Sequence, residues 1–152
     1  MNRIDNTFRK LRDRDESAFI PFLTAGDPDL ETTGDLILAA EGAGADLIEL
    51  GFPFSDPIAD GPTIQASYTR VLERGQKTGE VFDLVGSVRQ KSQIPIVAMI
   101  SYSLVYRMGV GDFLDRCAEC GIDGATIPDL PVEEMQRLQP EAQRRDQHLI
   151  CF

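Results

Sequence analysis

Apolar and polar positions along this chain follow two periods, one helical and one strand-like, that alternate from end to end. Ile4, Phe8 and Leu11 recur at helical spacing with charges on the opposite face, which predicts an opening helix. "AFIPFLTAGDP" is then an apolar, strand-like run that stops at Gly26. Asp27 is placed to cap a following helix with Pro28 as its first residue, where a missing N–H does no harm. Leu36, Ile37 and Ala40 form the inward face of that helix, which ends near Gly42 or Gly44. "DLIEL" predicts a second strand; a proline-rich loop follows, then a helix with Ile64, Tyr68 and Val71 on one face and Gly75 at its end. Thr78 is the expected cap of the next helix, which contains Val81, Phe82, Val85 and Val88. "IPIVAMI" is a continuous apolar strand, as expected where both faces of a sheet are covered. A helix from about Gly111 to Cys120, a strand in "GATIPD", a helical stretch from Val132 that Pro140 must break or restart, and a last strand in "HLICF" complete the pattern.

Strands alternating with helices imply a parallel α/β sheet with right-handed crossovers. An internal echo supports the reading: "GADLIEL" at 44–50 and "GIDGATI" at 121–127 both run Gly, apolar, Asp, strand. In each, the Gly would end a helix and the Asp would precede the strand. About five strands fit either a doubly wound sheet or part of a barrel. The G-x-G-x-x-G fingerprint of the first is missing after the first strand, and "TAGDP" offers no phosphate cradle. A TIM (β/α)8 barrel places its chemistry at the C-terminal strand ends, where Glu49, the "FSDPIADG" loop and Asp129 would lie. A whole barrel takes ~250 residues. The expectation is therefore one domain over residues 1–152, a partial barrel of about the first five strands.

Composition narrows the class. With 42% apolar and 26% charged residues in 152 positions, the chain resembles an ordinary globular domain. A net charge of −10 opposes nucleic-acid or anionic-membrane partners, so an anionic ligand needs a local device to hold it. Neither a signal-peptide pattern nor a run of ~18 apolar residues is present, and a cytoplasmic location is expected. Three cysteines make no disulfide framework; Cys117 and Cys120 have C-x-x-C spacing but share a helical face with Phe113. They read as small buried hydrophobes rather than a redox or zinc pair, and no metal is expected.

Glu49 carries the sharpest signal, a carboxyl inside an apolar strand. An ionised Glu there is costly, so it is either kept neutral by a raised pKa, which suits acid–base work, or it sits at the strand end in water as a cap. Asp60, eleven residues on, either caps the helix that begins near Pro62 or accepts a hydrogen bond from a donor that becomes positive during reaction. A Schiff-base aldolase would need a strand lysine, and Lys10, Lys77 and Lys91 all lie in helical or connecting segments.

"LIELGFPFSDPIADGPTIQ" resembles the signature of the tryptophan synthase alpha subunit family, and "FIPFLTAGDP" and "GIDGATIPDLPVEE" resemble it in order and spacing. The resemblance spans essentially the whole chain. It implies a (β/α)8 barrel that cleaves indole-3-glycerol phosphate to indole and glyceraldehyde 3-phosphate, with no cofactor in this subunit. By the same resemblance Glu49 would move protons between the substrate hydroxyl and the indole C3, and Asp60 would hold the indole N–H. Phe22, Ile64 and Met99 match walls of the indole pocket, positions that ordinary barrel core would satisfy equally. The loop Pro53 to Pro57, with Asp56, resembles the surface that meets the beta subunit, a PLP enzyme. Where relatives commonly have Tyr and Asn after the third strand, this chain has Ser101 and Ser103. The family's sixth to eighth strands and phosphate-binding amides have no counterpart in these residues. The chain alone is therefore expected to be a poor or inactive catalyst and to self-associate or be partly disordered; the alternative is a non-catalytic piece that keeps only the beta-binding surface.

Overall fold

Alternation within each strand decides which layer a side chain joins, and the strands are short enough for the pattern to be read residue by residue. In the computed structural model, which describes residues 2–150, helix α1 (Arg3–Asp13) is followed by β1 (Phe22–Thr24), α2 (Leu30–Gly42), β2 (Ile48–Gly51), α3 (Pro62–Glu73) and α4 (Thr78–Val88). Then come β3 (Ile96–Met99), α5 (Tyr102–Met108), α6 (Val110–Cys120), β4 (Gly124–Thr126), α7 (Val132–Gln143) and β5 (His148–Ile150). The five strands are all parallel and lie in the order β1-β2-β3-β4-β5. A doubly wound sheet reverses its strand order at a switch point; this one never does. Sequential parallel strands with helices between them form an arc of a (β/α)8 barrel, as expected. Of the last predicted strand, Cys151 and Phe152 lie outside the described residues.

Two layers follow from the alternation. Ile48, Leu50, Ile96, Ala98, Ile100 and Ala125 face the helices and pack with Ile37, Val81, Phe82, Val85, Phe113, Leu114 and Cys117 in the main core. Phe82 sits at its centre, edge-on to Phe52 at 5.2 Å and to Phe113 at 6.3 Å. Leu47 and Val97 point to the other, concave side, where Ile4 of α1 and Ile150 close a small second cluster. Glu49 lies between Leu47 and Gly51 on that same concave side.

The repeat noticed in the sequence is a structural device used twice. Gly44 and Gly121 both have positive φ, +97° and +92°, the left-handed conformation that ends a helix without a Cβ clash. Asp46 and Asp123 then each form a reciprocal clip. Asp46 N–H donates to Phe19 O at 2.9 Å while Phe19 N–H donates to the Asp46 carboxylate at 2.8 Å. Asp123 does the same with Ile96, at 2.9 Å each way. The second clip is elaborated by Arg89 and Arg3, which pair with the Asp123 carboxylate at 3.0 and 2.8 Å.

Several local expectations give way to tertiary contacts. Asp27 does not cap α2; Asp29 does, accepting from Thr32 N–H at 2.7 Å, and Pro28 lies before the helix. Asp27 is instead drawn to α3, where Ser67 donates to it at 2.6 Å and Arg70 pairs with it. Lys77 rather than Thr78 is the cap residue of α4, and its N–H donates to Glu80 at 2.6 Å. Leu36 is exposed, Ala40 is only half-buried, and Thr33 takes the buried position beside Ile37, donating to Asp29 O at 2.7 Å. α5 was not anticipated. It has seven residues, fewer than two turns, and starts where Ser101 Oγ accepts from Ser103 N–H. α7 continues through Pro140, because Met135, Leu138 and Ala142 on its buried face outweigh the lost backbone bond.

Candidate active site

The concave side of the sheet carries Glu49 in mid-strand, paired in register with Phe22 on β1 and Val97 on β3. Leu50 and Gly51 continue the strand beyond it, so it is not a cap in water. The side chain is half-buried in a cavity of about 650 Å³ that Leu47, Val97, Thr126 and His148 also line. Burial pushes the Glu49 carboxyl above the ordinary carboxylate range; a hydrogen bond from the Thr126 hydroxyl works against the rise, and the charge of Asp60 adds to it.

Asp60 occupies the loop between β2 and α3. Gly61 is the cap residue of that helix and no side chain bonds its free N–H groups, so Asp60 is not spent on capping. Its backbone is fixed instead: Asp60 N–H donates to Pro57 O at 3.0 Å, and Gln65 Nε2 donates to Asp60 O at 2.7 Å. The Asp60 carboxyl is also raised, by burial first and then by the charge of Asp129. Asp129 is in turn held in the turn after β4 by Ser101 Oγ at 2.7 Å and by Tyr102 N–H at 2.7 Å. Asp60, Asp129, Met99, Ser101 and Tyr68 line one compact cavity of about 30 Å³ at the C-terminal ends of the strands.

Within reach of both carboxyl charges stands a residue that the sequence marked only as helix face. Tyr68 is 2% exposed, and burial, then Asp60, then Glu49 push its phenol upward, so it stays protonated. Gly51 makes its position possible. A Cβ there would stand 2.5 Å from the Phe22 ring and 2.7 Å from the Tyr68 hydroxyl. No substitution at Gly51 is silent.

Two neighbouring carboxyls raised by burial, one on the concave side of β2 and one on the loop beyond its C-terminal end, form a site fit for proton transfer. The family model of the tryptophan synthase alpha chain matches residues 8–152. The chain belongs to the tryptophan synthase alpha chain family. It is 51% identical to the tryptophan synthase alpha chain of Alkaliphilus metalliredigens over 150 residues, covering 99% of this chain and 56% of that one. The counterpart from Caldanaerobacter subterraneus is 50% identical, with 99% and 57% covered. Among solved structures, tryptophan synthase subunit alpha from Legionella pneumophila superposes with a TM-score of 0.95 at 35% identity, over 98% of this chain and 57% of that one. The chain spans about half the length of the curated relatives it matches.

Set against the residues expected to form a tryptophan synthase alpha site, the structure brings Glu49, Asp60, Phe22 and Met99 to the concave side and strand ends. Ile64 is half-buried on α3 and lines neither cavity. In the loop, Pro53 is buried, Pro57 is half-buried, and Asp56 is exposed and bonded to Ser55 Oγ at 2.9 Å. Thr126, Asp129 and Tyr68 complete the surroundings of the two acids. Cys117 lies in the helix-side core with its thiol pushed up by burial, and Cys120 donates to Cys117 O at 3.5 Å, which makes the pair packing rather than a reactive dithiol. The lysines stay off the strands: Lys10 is in α1, Lys77 caps α4, and Lys91 follows α4. No helix of the described residues is long and apolar enough to cross a membrane.

Proposed function

We propose that this chain carries the acid–base half of a retro-aldol cleavage, the conversion of indole-3-glycerol phosphate to indole and glyceraldehyde 3-phosphate in tryptophan biosynthesis. The observation that supports it is the half-buried Glu49 carboxyl on the concave side, raised by burial and close enough to Asp60 to feel its charge. A group poised toward neutrality both takes and returns a proton. Glu49 in its protonated form first gives a proton to the indole C3, which leaves the ring cationic; it then takes the proton of the side-chain hydroxyl as the carbon–carbon bond breaks, the hydroxyl carbon becomes the aldehyde, and the bond's electrons restore the neutral indole. Asp60 accepts the indole N–H and offsets the positive charge that develops on the ring. Phe22 and Met99 are assigned to the apolar walls that exclude water from this exchange.

The loop that carries Asp60 also supplies the surface assigned to a beta subunit. Ile58 is 89% exposed beside Asp56 and Pro57, and a large apolar residue so presented suits a protein contact. Pro53, buried beneath, sets the course of the loop.

The test joins residues 1–152 to the C-terminal part of the Alkaliphilus relative and measures indole release. The chimera is expected to turn over. Glu49→Gln keeps shape without a transferable proton and is expected to abolish release, and Asp60→Asn to impair it by several orders of magnitude, on the order of 10²–10⁴. Parent-like turnover by the Glu49→Gln chimera overturns the assignment.

A further inference from the structure

We infer that Thr126 is a positioning residue for Glu49, its hydroxyl holding the carboxyl group in place across the concave side of the sheet. The inference rests on the role proposed for Glu49. Thr126 is the last residue of β4, paired in register with Met99 on β3 and Ile150 on β5. Its neighbour Ala125 faces the helices, so alternation turns Thr126 to the concave side, and it lines the same cavity as Glu49. Thr126 is 1% exposed. Packing alone does not account for a hydroxyl there, since valine has the same shape and a buried hydroxyl without a partner is destabilising. The Glu49 carboxyl lines the same cavity from two strands away, and its long side chain makes it the group this hydroxyl is placed to meet.

The consequence is both geometric and electrostatic. The bond fixes one oxygen of a side chain that otherwise has free torsions, and it favours the ionised carboxylate against the burial that disfavours it. Other titratable groups lie around Glu49 on their own elements: the charge of Asp60 reaches it from the loop, Tyr68 is near on α3, and Asp5 of α1 and His148 of β5 line the same cavity. Thr126 therefore sets where on the pH scale Glu49 changes from acid to base.

The test has two readouts. In the 152-residue chain with carbon-13-labelled Glu side chains, the Glu49 titration is followed by NMR for the parent, Thr126→Val and Thr126→Ser. Thr126→Val is expected to move the midpoint upward and Thr126→Ser to return it to the parent value; Thr126→Ala, which leaves space rather than filling it, must move it the same way as valine. A midpoint that valine and alanine leave in place, or that serine shifts as far as valine does, overturns the inference. In the chimera, the acid limb of the kcat/KM profile should follow the same shifts with KM unchanged. A chimera that releases no indole refutes the cleavage reading, while the titration still decides the role of Thr126.

Discussion

At neutral pH the Glu49 carboxyl is held where the protein disfavours its charge, and stability records this. Its folded pKa is raised, so the fold binds the proton more tightly than the unfolded chain does. The stabilisation from protonation is complete below the ordinary Glu value, and it is lost as pH rises through the folded value. Glu49→Gln removes the titration, so its melting temperature should exceed the parent's at pH about 7 to 8 and approach it as pH falls towards about 4, the ordinary Glu range. Thermal denaturation across that range checks it; a parent more stable than the variant at neutral pH would contradict the cost of burial. Glu49 and Asp60 were legible in the sequence because carboxyls interrupt an apolar strand and a proline-rich loop. Thr126 and Tyr68 were not. A Thr in a short strand and a Tyr on an apolar helix face look like core, and only the placement of β2, β4 and α3 turns their hydroxyls toward the acids.

Among the elements, the doubled Gly-Asp clip shows how one local pattern takes on two energetic weights. Asp46 exchanges hydrogen bonds with Phe19 at the surface, and Asp46→Ala should cost about 1 kcal/mol, the ordinary net value of such a bond. Asp123 makes the same exchange but is 3% exposed and faces Arg89, whose side chain is 9% exposed. Asp123→Ala leaves that guanidinium buried without its counterion, and a loss of about 3–5 kcal/mol is expected, enough to threaten the fold. Urea denaturation of both variants measures the contrast, and equal losses would mean that the bonds Arg89 already makes to Gly121 O and Ile94 O suffice without the carboxylate. The sequence showed the echo and its place before each strand, since both depend on residues within one segment. It could not show that Arg3 and Arg89 converge on only one copy, nor that Arg70 draws Asp27 away from a cap. Those partners lie 120, 34 and 43 positions away in the chain. The strand order was readable for the opposite reason, because alternating strands and helices without a dinucleotide loop leave few arrangements.

For the molecule as it stands, the sheet has two ends. Among the described residues β1 pairs only with β2 and β5 only with β4, so each end strand presents one unpaired row of backbone groups. The concave side between them is a cavity of about 650 Å³ lined by Ile4, Phe8, Leu47, Val97 and Ile150. Near it, Phe19 and Ile20 are 59% and 43% exposed. These features favour pairing between copies. The net charge of −10 opposes it, because each copy carries the same field. The two forces differ in their response to salt. Screening shortens the reach of the charge to ~3 Å at 1 M ionic strength and leaves the apolar attraction in place. The 152-residue chain should therefore self-associate more strongly as ionic strength rises, with its average mass by light scattering increasing with both protein and salt concentration. Tightening of the association at low salt would mean that charge pairs rather than open edges hold the copies together, and a monodisperse monomer at every salt concentration would mean that the concave side is closed by the chain itself.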